Sequence, residues 1–243
     1  FLDSSTNVKG SLFVCQIVNI WCHMLFNWSE IDTVLLDMDG TLLDLHFDNF
    51  FWRTHLPLRY AEVFDLDLSI VKSTLIRRLK EKEGTLDWYS TDFWSRELSL
   101  DVVALKREVK HLIRERPKVS EFLINLGIKG KERILITNAD HNSMGIKFAA
   151  TTIRQNLDKI ISSHELGYPK ERQDFWFALR KNFAFDPNKT LFIDDSEAIA
   201  CAAKEFGVAN ILTIARPDSF GGLCEPSEFV ALNDFDELKI SDC

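Results

Sequence analysis

A chain of 243 residues, 46% apolar and 27% charged, is long enough for one large core or for a core with a smaller inserted domain. Its formal net charge of −8 argues against a nucleic-acid backbone or an anionic membrane surface as the main partner. Five scattered cysteines (Cys15, Cys22, Cys201, Cys224 and Cys243) form no C-x-x-C pair, which argues against a zinc site or a disulfide framework and fits reduced thiols in a cytoplasmic protein.

The apolar stretch 12–28 is interrupted by Gln16, Asn19, His23 and Asn27, is short for a membrane span, and lacks a basic leader and a small-residue cleavage site. Met24 reads as the natural start, with 1–23 an upstream extension. Five short β-type runs follow, at 31–36, 133–136, 159–162, 190–193 and 210–214. They alternate with helical patterns, which predicts an α/β fold with a parallel sheet flanked by helices. Three runs lead directly into polar residues: Asp37, Thr137 and Asp194. In open parallel sheets ligands sit beyond the carboxyl ends of the strands, so these residues mark the expected site.

Roughly ninety residues separate the first two runs, far more than a βα crossover needs. Ile70, Val71, Thr74, Leu75 and Leu79 form one helical face that Gly84 can end. Val102, Leu105, Val109, Leu112 and Ile113 form another, opened by Ser99 or Asp101 and closed before Pro117. Ser120, Phe122, Leu123 and Leu126 begin a third helix, which Gly127 would stop. The reading is a helical domain over 47–117, inserted into a core formed by 24–46 and 118–243. The inserted region is rich in aromatics, notably Phe47, Phe50, Phe51, Trp52, Trp88, Tyr89, Phe93 and Trp94. Most of these belong in its core; a few could form a flat slot for a base.

Four segments carry chemistry. Asp37-Met38-Asp39-Gly40-Thr41 follows the apolar run IDTVLL. Thr137-Asn138 suits phosphoryl oxygens through a hydroxyl and backbone N–H groups, or else caps the following helix. Lys170, in Gly167-Tyr168-Pro169-Lys170, is either a surface charge or a phosphate partner. Asp194-Asp195-Ser196 is either an acidic helix cap or a pair of ligands for a hard cation such as Mg²⁺, which takes oxygen ligands in an octahedron. Carboxylates converging on one pocket repel each other, and a divalent ion would relieve that strain and admit an anionic substrate.

The first segment resembles motif one of the haloacid dehalogenase superfamily, and the other three fit the remaining motifs. The resemblance implies a Rossmann-like core with an inserted helical cap, and a Mg²⁺-dependent phosphohydrolase in which Asp37 is the nucleophile that forms an aspartyl-phosphate. Asp39 is then the general acid and base, aligned with Asp37 by its two-residue spacing. Thr137, Asn138 and Lys170 bind the phosphate, and Lys170 also holds Asp37 ionised. The metal ligands are Asp37, the backbone carbonyl of Asp39, Asp195, and Asp194 directly or through water. One departure concerns Ile199, which stands where many members of the superfamily carry another acid.

At a finer level, FDNFFW, DWYSTDFWS and LGYPKERQDFW resemble the bacterial GMP/IMP nucleotidases of this superfamily, which implies a purine nucleoside monophosphate as the small-molecule substrate. The alternatives are a sugar-phosphate phosphatase, a phosphomutase using the same two aspartates, and a non-catalytic module that keeps the fold. A dehalogenase has no need of a protonating partner at Asp39.

Overall fold

The computed structural model describes residues 27–240. The expected extension 1–23 and its boundary at Met24 therefore lie outside the described residues. In chain order, β1 (Thr33–Leu36) is followed by α1 (His46–Phe50), which runs through a π-helical segment (Phe51–His55) into α2 (Leu56–Phe64). Next come α3 (Leu68–Lys80), α4 (Leu86–Tyr89), α5 (Thr91–Leu98), α6 (Val102–Glu108) and α7 (Val119–Ile128). The chain then alternates: β2 (Glu132–Thr137), α8 (His141–Ala150), β3 (Lys159–Ser162), α9 (Ser163–Leu166), α10 (Gln173–Asn182), β4 (Thr190–Ile193), α11 (Glu197–Phe206), β5 (Asn210–Ile214) and β6 (Val230–Leu232).

All six strands are parallel, in the order β3-β2-β1-β4-β5-β6. The central strand is buried on both faces, which is why it reads as an unbroken apolar run. Val34 and Leu36 point to one face with Leu135, Leu191 and Ile193. Leu35 points to the other with Ile134, Ile136 and Phe192, against Phe175, Trp176 and Leu179 of α10. Because the sheet grows outward from β1 in both directions, the topological switch lies between β1 and β4. Their register pairs Leu36 with Ile193, so Asp37 and Asp194 leave the sheet at the same level across that switch.

The five expected strands are present. Their boundaries move slightly: β1 begins at Thr33 rather than at residue 31, and β2 extends from Glu132 to Thr137. The sequence reading missed β6, a three-residue edge strand with only Leu232 buried, which offers no apolar run to find.

Helices α1 to α6 lie between β1 and the return through α7. The two connections that carry the chain out and back pair with each other: Asp44 N donates to Arg114 O at 2.9 Å and Arg116 N to Leu42 O at 2.9 Å. Asp101 caps α6 by accepting from Ala104 N, as its position before the apolar stripe suggests. In α3 the buried face is Val71 and Leu75, while Ile70 is 65% exposed, contrary to the expected face. α3 already ends at Lys80, before the left-handed Gly84. Gly127 does not stop α7, which runs on to Ile128. A Cβ there would fall 2.4 Å from Nη1 of Arg133, the far end of a long side chain that would have to move aside. Of the eight inserted aromatics, Phe47, Phe51 and Trp94 are fully buried, Phe50, Trp52 and Phe93 are partly buried against the core, and Trp88 and Tyr89 are half-buried. No helix of the described residues is long and apolar enough to cross a membrane, and Cys201 and Cys224 are free and exposed.

Candidate active site

The site forms where β1, β2 and β4 end. Asp37 continues β1, its N–H donating to Ile193 O at 3.0 Å. The chain then doubles back tightly, with Leu43 N donating to Met38 O and Gly40 N to Leu43 O, both at 2.8 Å. Gly40 has φ +83°, a left-handed conformation open chiefly to glycine. This turn presents Asp39 to the same cleft as Asp37.

Lys170 reaches the cleft from the loop after α9. Its ammonium, 1% exposed, lies 2.6 Å from Asp37 Oδ1 and 2.7 Å from Asp194 Oδ2, and it also donates to Ile136 O at 3.3 Å. A buried ammonium with a single partner would be costly; three acceptors explain why this one is tolerated. Asp194 Oδ1 accepts from Ser196 N at 2.9 Å, so both oxygens of this fully buried carboxylate have donors.

Asp37, Asp194 and Asp195 each offer an oxygen within 4.8 Å of the others. Burial lifts Asp37 to about 6, against the pull of Lys170 and with a push from Asp194. Burial, reinforced by Asp194 and Asp37, raises Asp195 well above the carboxylate range. Burial disfavours the Lys170 ammonium too, but Asp194 and Asp37 outweigh it and hold the amine protonated. The cluster is thus three acids around one ammonium, a deficit of positive charge with hard oxygen donors. A divalent cation of the Mg²⁺ type fits that deficit and would return Asp195 to its ionised form.

Thr137 ends β2 and Asn138 follows it, beside this cluster. The Thr137 hydroxyl accepts from Ala139 N at 3.1 Å. The Asn138 side chain braces the lysine loop, accepting from Lys170 N at 3.0 Å and donating to Glu171 Oε2 at 3.0 Å. Neither residue caps α8; Asp140 does, accepting from Ser143 N. All seven residues singled out from the sequence (Asp37, Asp39, Thr137, Asn138, Lys170, Asp194 and Asp195) thus lie at the carboxyl end of the sheet.

The sequence reading missed a second lysine. Lys147 of α8, 2% exposed, lies 2.6 Å from Asp39 Oδ1 and 2.7 Å from Asp48 Oδ2. The other oxygen of Asp48 pairs with Lys106 of α6 at 2.8 Å. Asp39, like Asp37, is lifted to about 6 by burial, with Lys147 opposing and Asp48 adding to the rise. Burial would raise Asp48 too, but Lys106 and Lys147 bring it down to about 2. The available signal was weak: Lys147 sits between Ile146 and Phe148, four residues after the buried Ser143 and three after Met144. A lysine on an otherwise buried helical stripe is the only hint.

The inserted helices also close on the site. Tyr89 donates to Glu171 Oε1 at 2.6 Å, Thr91 N to Asp140 Oδ2 at 2.6 Å, and Asn142 Nδ2 to Asp92 Oδ1 at 3.0 Å. These contacts come from the segment 87–92 that stood out in the sequence. Farther into the helices, a cavity of about 300 Å³ is lined by Asn49, Trp52, Arg53, Ile76, Leu79, Lys80, Glu83 and Trp88.

Comparison with known proteins agrees with this geometry. The family model for haloacid dehalogenase-like hydrolases matches residues 31–207, and the chain belongs to that family. Among characterised proteins, it is 38% identical over 218 residues to the GMP/IMP nucleotidase YrfG of Escherichia coli strain K12, covering 89% of this chain and 97% of that protein. The Shigella flexneri protein of the same name matches equally. Taken with its nucleotidase relatives, the family match makes it a phosphatase. Among solved structures, a HAD phosphatase from Thermococcus onnurineus superposes with a TM-score of 0.71 at 16% identity, covering 86% of this chain and 96% of that one. The L-2-haloacid dehalogenase of Xanthobacter autotrophicus gives 0.55 at 18%, covering 76% and 78%. At those identities the two structures speak to the fold alone.

Proposed function

We propose that this phosphatase is a Mg²⁺-dependent, cytoplasmic purine 5′-nucleotidase that acts on GMP and IMP through an aspartyl-phosphate at Asp37. The observation that carries the mechanism is the placement of Lys170 between Asp37 and Asp194, with Asp195 completing the oxygen cluster. When bound, the cation would offset phosphate charge at that cluster. Asp37, Asp194, Asp195 and the backbone carbonyl of Asp39 are the residues to hold it.

An oxygen of Asp37 attacks phosphorus, the ester P–O bond breaks, and the leaving ribose oxygen takes a proton from Asp39. Asp39 then removes a proton from water, which attacks the same phosphorus, releases inorganic phosphate and regenerates the Asp37 carboxylate. Lys170 keeps Asp37 ionised and bears against the transferred phosphoryl group. The Thr137 hydroxyl and the backbone N–H groups beside Asn138 supply donors to its oxygens. The helices over 47–117 act as a cap that excludes water and selects the ester.

The purine assignment rests on the 38% identity to YrfG, which spans nearly all of that protein and includes the capping helices. Two indoles, Trp52 and Trp88, with Arg53 and Asn49 in one cavity suit a flat base with polar edges. Phosphate release from GMP, IMP, AMP, pyrimidine monophosphates and sugar phosphates, each with Mg²⁺ and with chelator, tests the proposal. GMP and IMP should lead, and chelator should abolish release. A preference for sugar phosphates would overturn the substrate, and activity surviving the chelator would overturn the metal.

A further inference from the structure

Lys147 and its partners form a chain of alternating charge, Asp39–Lys147–Asp48–Lys106, with links of 2.6, 2.7 and 2.8 Å. Three features set it apart from an ordinary structural ion pair. It is buried: the Lys147 and Lys106 side chains are 2% and 3% exposed. It crosses from one part of the molecule to the other, because Asp48 and Lys106 belong to the capping helices while Lys147 and Asp39 belong to the core. And it ends on the residue proposed to move the proton.

Energetics gives no reason to keep such a chain for stability alone. Desolvating four charges costs several kcal/mol per ion before pairing, and well-packed apolar residues often serve as well or better. The setting is otherwise apolar and aromatic. The Lys106 ammonium lies 5.2, 5.1 and 5.4 Å from the ring centres of Phe47, Phe51 and Trp52, and Lys147 lies 5.6 Å from Phe47. Those rings favour a cation and enclose it, so each amine is confined to one place. The π-helical turn contributes here, since Phe51 and Trp52 both lie within it.

The contact with Asp39 is also one-sided. Lys147 approaches Oδ1 at ion-pair distance, without the angles of a directed hydrogen bond. Among the described residues no hydrogen bond falls on Oδ2 of Asp39. A carboxylate held by one oxygen cannot rotate freely, and its second oxygen is left for substrate.

We infer that Lys147 is the positioning residue of the general acid, fixing Asp39 through Oδ1 so that Oδ2 serves the leaving oxygen, and that Asp48 with Lys106 makes this placement depend on the seated cap. The inference rests on the phosphatase reading of Asp37 and Asp39. Lys147 does not touch the transferred phosphoryl group; it acts through Asp39. A cap that is not seated removes Asp48 from Lys147 and leaves the acid unanchored, which links ester binding beneath the cap to proton delivery.

The test separates positioning of the acid from simple support of the fold. Phosphoenzyme formation is followed by rapid mixing, with Mg²⁺, for aryl phosphates of graded leaving-group acidity and for GMP. A nitrophenolate departs without a proton, whereas a ribose alkoxide needs one. Lys147→Met should lose about a hundredfold or more on the least acidic leaving groups and on GMP, the scale of a general acid. It should stay within about threefold of the parent on the nitrophenyl ester, because that step makes no use of the acid. The plot of log rate against leaving-group pKa therefore steepens, and Lys147→Arg restores part of it.

Asp48→Asn, which keeps Lys147 but removes its anchor, should show the same steepening to a smaller extent, and it carries the test if Lys147→Met does not fold. Equal losses across the series would mean a structural role and overturn the inference, as would no loss at all. A parent enzyme that forms no phosphoenzyme from any ester would instead overturn the phosphatase mechanism itself, a different and recognisable failure.

Discussion

Gly40 and Asp195 are packed so closely that a Cβ on Gly40 would fall 2.2 Å from Oδ2 of Asp195. The turn after β1 and the acidic loop after β4 therefore share space that only a hydrogen atom can fill. Gly40→Ala is strained twice, by its φ of +83° and by this contact. The obstacle is a carboxylate of the proposed cation site, so the expected result is a displaced Asp195. Mg²⁺ affinity, measured by calorimetry, should fall by at least tenfold, with the far-ultraviolet circular dichroism unchanged.

Lys170 is held by two buried acids, and its removal leaves both without their cation. Lys170→Met should cost about 3–5 kcal/mol in urea unfolding, the usual result of breaking a buried pair on one side. Turnover should be lost as well. Asp37→Asn preserves the shape, and its loss should be in turnover: phosphate release abolished, with the melting temperature within a few degrees of the parent. Undiminished release from Asp37→Asn would remove the proposed nucleophile.

Under the proposed function, protons and the cation would compete for the same oxygens. Asp37 is raised to about 6 and Asp195 is raised well above its ordinary value, both chiefly by burial. Lowering the pH from 7.5 to 5.5 should therefore weaken Mg²⁺ binding by more than tenfold, read by calorimetry at each pH. For the metal-free protein, an acid raised on folding makes the native state bind more protons than the unfolded chain. Its stability contribution is present below about 4, the ordinary aspartate value, and is lost as pH rises through about 6. Asp48, lowered to about 2 by Lys106 and Lys147 in spite of burial, works in the opposite sense, and its contribution disappears only as pH falls toward 2. The gain in melting temperature on adding Mg²⁺ should accordingly be larger at pH 7.5 than at pH 5.5.

Tyr89 ties the capping helices to the loop that carries Lys170. Burial and the neighbouring Glu171 raise its phenol, so it stays a hydrogen-bond donor throughout the working pH range. Tyr89→Phe removes one bond worth about 1–3 kcal/mol to a charged acceptor, while Asn138 still holds Glu171. Hydrogen exchange in residues 86–98 should quicken, and KM for GMP should rise several-fold with global stability little changed. Unchanged exchange would show that Tyr89 does not secure the cap.

Where local pattern carries the information, the sequence was a sufficient guide. The five longer strands announce themselves because a parallel sheet buried on both faces demands continuous apolar runs, and the residues that follow them must be polar to meet solvent and ligand. β6 is short and half-exposed and leaves no such trace. Ile70 was assigned to the wrong face because a stripe of apolar residues does not say which neighbour a helix will meet. Gly127 looked like a helix stop, yet α7 runs past it to Ile128, and its nearest neighbour is Arg133, six residues on in the chain and against it in space.

By itself, then, the amino-acid order was enough for the family: two aspartates two residues apart after the first strand, a lysine, and paired aspartates after the fourth are all legible in it, and the chain belongs to the haloacid dehalogenase-like hydrolases. What only tertiary structure decided is how the charges are balanced. Lys147 and Lys106 look like the surface lysines that most are, since a long side chain on a helix can reach water from nearly any position. Their burial follows from α6 and α8 packing around Asp48, with Phe47 and Phe51 closing over the amines. The pairing energy of two ions depends on distance and on exclusion of water, neither of which is a property of residues taken one at a time along a chain.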